Sequence, residues 1–331
     1  MVESCYGPAV DRRRTVGLAL VIVSAFGFGS GGLFAQPVYE AGVGWHVLSA
    51  WRFGLAAALA WLWIALSAVR RRGLRALDRR TVIVGVALGI LYTGNSGTYY
   101  AGLESVSVSL ASLIVYIYPA IVAVLSLRFG RRLEGRRPWF ALGLAIVGVV
   151  LAVGGIPTGE VPPIGGLALI VASPIIYSIW IVLSARLSGE RRESVGRDAD
   201  DGADAAAATA LMMSGTAATY WISAIVAGAP VWPSLVPAAA WPGLLGVSIV
   251  ATFIAIQGFY AGARRIGAAQ AALVSTVEPI WTISLAAILF GQVLGPMQLL
   301  GGALIIIGVI VAQTPAGTLG FLRPGLRIAD E

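Results

Sequence analysis

The feature that most constrains this chain is a succession of ten apolar stretches, each close to the ~20 residues that a helix needs to cross bilayer hydrocarbon. They run Gly17–Gln36, His46–Ala68, Thr81–Ala101, Val106–Leu127, Arg137–Gly155, Pro163–Ala185, Ala207–Gly228, Trp241–Gly262, Ala268–Leu289 and Gly295–Gln313, numbered here as spans one to ten. Lipid offers no partner to a backbone N–H or C=O, so each reads as a helix that bonds to itself. Composition agrees: 58% of residues are hydrophobic and 12% charged, against roughly 25% charged in soluble domains. The expected fold is an all-α polytopic membrane protein.

Orientation follows from the arginines, because short cytoplasmic loops concentrate basic residues. The formal charge is +7 and no lysine occurs. Arg12, Arg13 and Arg14 precede span one. Arg70, Arg71, Arg72, Arg75, Arg79 and Arg80 lie between spans two and three, and Arg128, Arg131, Arg132, Arg136 and Arg137 between four and five. Arg186, Arg191, Arg192 and Arg197 lie between six and seven, Arg264 and Arg265 between eight and nine, and Arg323 and Arg327 in the tail. Every second loop is basic and Arg52, inside span two, is the one exception, so both termini are expected in the cytoplasm. The run Gly17–Gln36 exceeds the 7–15 residues of a cleaved signal core and reads as a retained helix.

A shift of about 160 residues superposes Tyr100-Ala101-Gly102 on Tyr260-Ala261-Gly262, Pro119 on Pro279, and Gly148-Val149 on Gly308-Val309. Weak self-similarity of this kind marks duplicated transporters. Five spans per copy is an odd number, so the copies are expected to lie inverted in the membrane. The division is a cytoplasmic tail at 1–16, a first repeat at 17–155, an outer linker at 156–162, a second repeat at 163–313 and a cytoplasmic tail at 314–331. The acidic, small-residue-rich loop from Arg186 to Asp204 reads as a flexible cytoplasmic joint between spans six and seven.

Glu278 sits near the middle of span nine, where an ionisable group costs about 2.5–3.5 kcal/mol on insertion scales and persists where it faces protein or a wet cavity. Pro279 follows, and proline inside a helix frees a carbonyl of the preceding turn and bends the axis. Span four carries Tyr118-Pro119 at the same place. Polar and aromatic residues at helical spacing mark six spans: Ser24, Phe28 and Gly31; Tyr92, Asn95 and Tyr99; Ser109, Ser112 and Tyr116; Ser173, Tyr177, Trp180 and Ser184; Phe253, Gln257 and Tyr260; Gln270, Glu278, Trp281 and Ser284. These spans are expected to surround a polar cavity. Its lining is assigned to Tyr92, Asn95, Tyr99, Tyr116, Tyr177, Trp180, Gln257, Tyr260 and Trp281, with helix kinks at Pro119 and Pro279. Aromatic faces hold apolar or cationic parts of a solute, and amides orient its polar ends.

Glu278 is the candidate for proton or substrate coupling. Arg52, about two turns into span two, either snorkels to the outer surface as a gating residue or binds a carboxylate. Glu104 is expected to be merely exposed, and His46 to be interfacial. Spans five and ten are smooth Gly/Ala/Ile/Val helices suited to close contact and are expected to pack peripherally or form a homodimer.

Cys5 and His46 are the only residues of their kinds, which leaves no disulfide, no thiolate or His-based metal site and no His-based triad. The arginine clusters lack the stripe that nucleic acid needs. GVALGILYTG from Gly85 lacks the GK[ST] ending of a phosphate loop, so no cofactor is expected.

Two five-span halves, alanine and leucine two apart ahead of proline (Ala111, Leu113, Pro119; Ala271, Leu273, Pro279) and the pair Glu278-Pro279 resemble the EamA family of the drug/metabolite transporter superfamily over Gly17–Gln313. The resemblance implies a bacterial inner-membrane exporter of amino acids and related small metabolites, aromatic amino acids among them. The family's glycine-glutamate pair after spans four and nine is absent, since Arg131 follows Gly130 and Gln292 follows Gly291. The resulting expectation is a secondary transporter, not an enzyme, that exports small amphipathic metabolites by alternating access. The alternatives are a carrier of drug-like cations and, from another class, an intramembrane lipid-modifying enzyme, which would need a base and usually a metal or nucleophile; the midplane proline site argues against a channel.

Overall fold

A chain whose backbone has only itself to bond with becomes helical wherever lipid surrounds it, and the computed structural model of the protein is helical with no strand among its described residues. The structure describes residues 8–75, 77–129, 137–154, 161–187, 202–266, 271 and 274–313. The loop arginines 131–136, most of the linker at 156–162, most of the joint at 186–204 and the tail from 314 lie outside them.

Span one forms α1 (Pro8–Gly29) and α2 (Gly31–Glu40), span two α3 (Trp45–Ala65), and a short basic helix α4 (Ala68–Arg75) follows. Span three is α5 (Arg79–Gly102), span four α6 (Val108–Val115) plus α7 (Tyr118–Phe129), and span five α8 (Arg137–Gly154). Span six is α9 (Ile164–Leu187) and span seven α10 (Gly202–Val226). Span eight joins α11 (Trp241–Leu245), a π-helical segment (Gly246–Ile254) and α12 (Ala255–Ile266). Spans nine and ten are α13 (Val277–Phe290) and α14 (Pro296–Gln313). Six of these stretches are long and apolar enough to cross a membrane, and Val108–Val122, Trp139–Val153, Val277–Phe290 and Pro296–Val311 are shorter apolar helices.

Helix ends are closed by local donors and acceptors. Asp78 caps α5, accepting the Thr81 N–H at 3.1 Å, and hydrogen bonds from Thr81 hold its carboxyl below the usual carboxylate range. Ser107 caps α6 through the Leu110 N–H. Glu104 is exposed but not idle: its Oε1 accepts the Trp45 N–H at 2.7 Å and closes the start of α3. The expectation of a merely exposed side chain is corrected there, because an orphan N–H at a helix start attracts a carboxylate. Gly291 ends α13 in the left-handed region, φ +65°. Beside it, the Gln292 N–H reaches the Ala286 carbonyl, a glycine-dependent stop.

Small residues set the crossings. α8 and α14 pack along their lengths. A methyl on Gly148 would lie 2.5 Å from the Gly301 carbonyl oxygen and 2.7 Å from Ile305 Cγ1. The glycine faces of spans five and ten thus meet each other within the chain. Trp139, Phe140, Val150, Leu299 and Leu300 are among the large apolar side chains these helices leave exposed. Gly17 and Gly262 play the same part between α1 and α12, where an added methyl on Gly262 would sit 2.5 Å from Val21 Cγ2.

Three spans are interrupted rather than merely bent. α1 gives way to α2 at Ser30, α6 to α7 at Tyr116 and Ile117, and α13 begins after a turn at Ser275 and Thr276. In the last two cases the break falls ahead of the proline, so Pro119 and Pro279 occupy the first turn of the second piece, the position that tolerates a missing N–H. Pro279 leaves the Ser275 carbonyl without its i+4 donor. The Tyr116 hydroxyl, from the break in span four, donates to that oxygen at 2.5 Å. The two breaks are therefore tied to each other, and α6 packs against α13 around them.

Two outcomes are expected. Gly148→Val should lower detergent stability by about 1–3 kcal/mol through overpacking, whereas Gly143→Ala on the same helix, with nothing within 4 Å of the new methyl, should leave the melting temperature unchanged. Tyr116→Phe should cost about 0.5–1.5 kcal/mol by removing one of the two hydrogen bonds that the Ser275 carbonyl accepts, read as a lower melting temperature in the same assay.

Candidate functional site

The interruption at Ser30 is where the chemistry-bearing residues converge. Glycines flank it, and what a methyl on each would strike maps the surroundings. Gly29 lies against α13: its added methyl would be 2.6 Å from Thr282 Oγ1, 3.1 Å from the Glu278 carbonyl oxygen and 3.2 Å from Trp281 Cδ1. Gly31 lies 2.7 Å by the same measure from the Tyr100 hydroxyl and 3.6 Å from Ala251 Cβ; Gly32 lies 3.3 Å from the Tyr99 hydroxyl. The break is bracketed by the Glu278 turn on one side and by α5 with the π segment on the other.

Glu278 is the second residue of α13, in the first turn, where the helix dipole favours a negative charge. It is partly buried, and its carboxylate has no hydrogen-bond or ion-pair partner among the described residues. Its backbone is fixed: the N–H donates to the Ser275 carbonyl at 3.0 Å. The Thr282 hydroxyl is shared between the Glu278 carbonyl at 3.0 Å and the Gly29 carbonyl at 2.8 Å. One turn on, Trp281 stacks on Phe26 with ring centroids 4.3 Å apart and donates its Nε1–H to Ser30 Oγ at 3.1 Å. Trp281 thus clamps the interruption in span one.

Arg52 is 5% exposed, turned inward rather than snorkelling. Its Nε–H donates to Thr252 Oγ1 at 2.7 Å. The Thr252 hydroxyl in turn donates to the Val247 carbonyl, five residues back, at 2.8 Å, which is the π pitch. Such bulges are frequent at functional sites. The guanidinium carbon sits 4.5 Å from the Tyr100 ring centroid and 4.7 Å from that of Phe53, and Nη1 is sealed from solvent with no acceptor among the described residues.

The aromatic wall is built from three spans. Tyr92 meets Tyr177 at 6.2 Å and Trp180 at 5.2 Å; Tyr177 stacks near-parallel with Trp180 and meets Tyr118 edge-on at 4.8 Å; Tyr118 meets Tyr116 at 5.9 Å. Trp180 is held by its Nε1–H to the Leu88 carbonyl at 2.8 Å.

Of the residues assigned to the cavity from sequence, Tyr92, Tyr116, Tyr177 and Trp180 come together, and Tyr99 and Trp281 border the span-one break. Asn95 is buried and accepts the Ser173 hydroxyl at 2.9 Å, tying α5 to α9. Gln257 donates to Thr209 Oγ1 at 3.0 Å, tying α12 to α10. Tyr260 is 40% exposed on α12. Gln270 and the side chain of Ser184 lie outside the described residues. Sequence reading missed Tyr118, although its register opposite Glu278 signalled it, and Thr252, which nothing signalled. It also missed a polar chain at the arginine-poor end of the bundle. There Gln292 accepts the Ser109 N–H at 3.3 Å and donates to Gln36 Oε1 at 2.8 Å, tying spans one, four and nine. Gln292 stands where the resemblance leads one to expect glutamate.

The chain matches the model of the EamA-like transporter family twice, over residues 15–154 and 164–314. It is 23% identical over 269 residues to the uncharacterized transporter YyaM of Bacillus subtilis, a match covering 80% of this chain and 83% of that one. An uncharacterized transporter of Archaeoglobus fulgidus is 26% identical over 217 residues, 65% of this chain and 70% of the relative. A solved crystal structure covers 90% of this chain and 97% of its own at a TM-score of 0.62 and 18% identity, a likeness of fold. With two family repeats spanning nearly its whole length, this multi-pass membrane protein belongs to the EamA-like transporter family.

Proposed function

We propose that the chain is a secondary carrier of the bacterial inner membrane that exports small amphipathic metabolites, amino acids or their relatives, by alternating access. The observation that carries this reading is Glu278: a carboxylate without a partner among the described residues, in the first turn of an interrupted span whose preceding turn is bonded by the Tyr116 hydroxyl of the other repeat. A group so placed holds an ammonium or a proton during a cycle and releases it when the breaks rearrange.

In this reading ten helices form two inverted halves with both termini in the cytoplasm. The pattern of packing supports it. A two-fold relation exchanging span one with six, two with seven, three with eight, four with nine and five with ten requires contacts to occur in mated pairs. α1 packs on α12 and α5 on α9; α5 packs on α10 and α3 on the π segment; α7 packs on α9 and α1 on α13. Spans two and seven, four and nine, and five and ten pack on their own mates. The Gln36–Gln292–Ser109 chain then closes the outer end, and outward opening breaks it. A homodimer would use the exposed apolar faces of α8 and α14.

A carrier of organic cations is the second reading, favoured by the Tyr92, Tyr118, Tyr177 and Trp180 wall, whose ring faces attract cations. Counterflow in proteoliposomes, with a panel of amino acids and cationic dyes and with or without a pH gradient, separates the two. Amino acid exchange is the expected result; dye movement alone supports efflux of drug-like cations, and silence in both panels contradicts the proposal. Glu278→Gln is expected to cut exchange by about tenfold or more and to abolish its response to the pH gradient. Unchanged exchange with an unchanged pH response would remove Glu278 from the mechanism.

A further inference from the structure

Resting on the carrier reading above, the geometry points to a second, anionic-ligand subsite at Arg52, so that the solute is held by both ends across the glycine break of span one. We propose that Arg52 takes a carboxylate while Glu278 takes an ammonium, and that the substrate class is therefore zwitterionic rather than cationic.

A buried guanidinium is costly unless its charge and its donors are matched. Arg52 is buried, yet Thr252 satisfies only Nε and the rings of Tyr100 and Phe53 satisfy only its faces. Nη1 has no acceptor among the described residues, and the Ser49 hydroxyl, one turn earlier on α3 and fully buried, has no partner either. An arginine and a hydroxyl with unused capacity on one helix face suit a carboxylate, which accepts from both.

No protein carboxylate takes that role among the described side chains. Glu40 is bonded to Gln36, Asp78 caps α5 and Glu104 caps α3. Glu278 makes no ion pair with Arg52 among the described residues. The two unmatched charges stand on opposite flanks of the same four residues. Gly29 abuts the Glu278 turn, and Gly31 abuts both the Tyr100 hydroxyl, whose ring carries the guanidinium, and Ala251, the neighbour of Thr252. A zwitterion lying along this break meets a counter-charge at each end and leaves its side chain to the aromatic wall.

The test is binding to the purified full chain in detergent, by calorimetric titration, of three probes that share a phenyl ring: phenylalanine with both charges, phenethylamine with the ammonium alone, and 3-phenylpropionate with the carboxylate alone. Wild type is expected to bind phenylalanine at least about tenfold more tightly than either single-charge probe. Arg52→Gln should bring phenylalanine down to the level of phenethylamine and leave phenethylamine within about twofold of wild type; Arg52→Lys should recover part of the difference. The wild-type ranking alone decides the matter if Arg52→Gln does not fold. The proposal is overturned if wild type binds phenethylamine as tightly as phenylalanine, if it binds none of the three probes, or if Arg52→Gln keeps the full preference. Two-charge selectivity without any amino acid exchange in proteoliposomes would refute the carrier reading and leave the subsite standing. Undiminished exchange by Arg52→Gln with an unaltered ranking would do the reverse.

Discussion

A helix surrounded by lipid cannot leave a carbonyl or N–H unpaired without losing several kcal/mol, so a span that breaks has to be repaired by another part of the protein. In this structure the repairs cross from one repeat to the other. Tyr116 of the first repeat donates to the Ser275 carbonyl of the second, which Pro279 deprives of its i+4 donor. Thr282 of the second closes the Gly29 carbonyl beside the interruption of span one. Arg52 of the first bonds Thr252 inside the π segment of the second. Each repeat holds the other's irregular backbone in place, and any motion of one half relative to the other has to exchange these bonds.

The same constraint explains which parts of the molecule sequence could reveal. The spans follow from hydropathy alone, and the self-similarity at 160 residues located the two prolines. It could not show that the chain breaks a turn before each proline rather than bending at it, since that depends on Tyr116 being within reach of Ser275. Span one breaks with no proline at the interruption; its signal was the density of glycine at Gly27, Gly29, Gly31 and Gly32, of which sequence reading used only Gly31, on a polar stripe. The π segment carries no signature at all, because its extra residue per turn is stabilised by Thr252 and Arg52, 200 positions apart in the chain.

The charged residues show the same division. Glu278 was legible as an expense that folding alone does not justify, and its lack of a partner among the described residues is consistent with that reading. Arg52 was legible as an anomaly but not as a buried group, because its distance from the end of span two allows snorkelling equally well; the tertiary contacts with Thr252, Tyr100 and Phe53 turn it inward. Asn95 and Gln257 show what a stripe leaves open. Both sit on polar stripes, and both use their amides to tie helices together, so a stripe at helical spacing marks a protein-facing surface without telling cavity from contact.

The central claim is that one site at the span-one break is reached from one side of the membrane at a time. It is tested most directly by the reactivity of Ser30→Cys, in a background where Cys5 is replaced by Ser, toward a membrane-impermeant thiol reagent applied to either face of sealed vesicles. The account predicts labelling from a single face under any one condition, with the reactive face changing when a transported solute is supplied on the opposite side. Simultaneous labelling from both faces would contradict it in favour of a continuous pore, and the absence of labelling from either face would remove the break from the transport path.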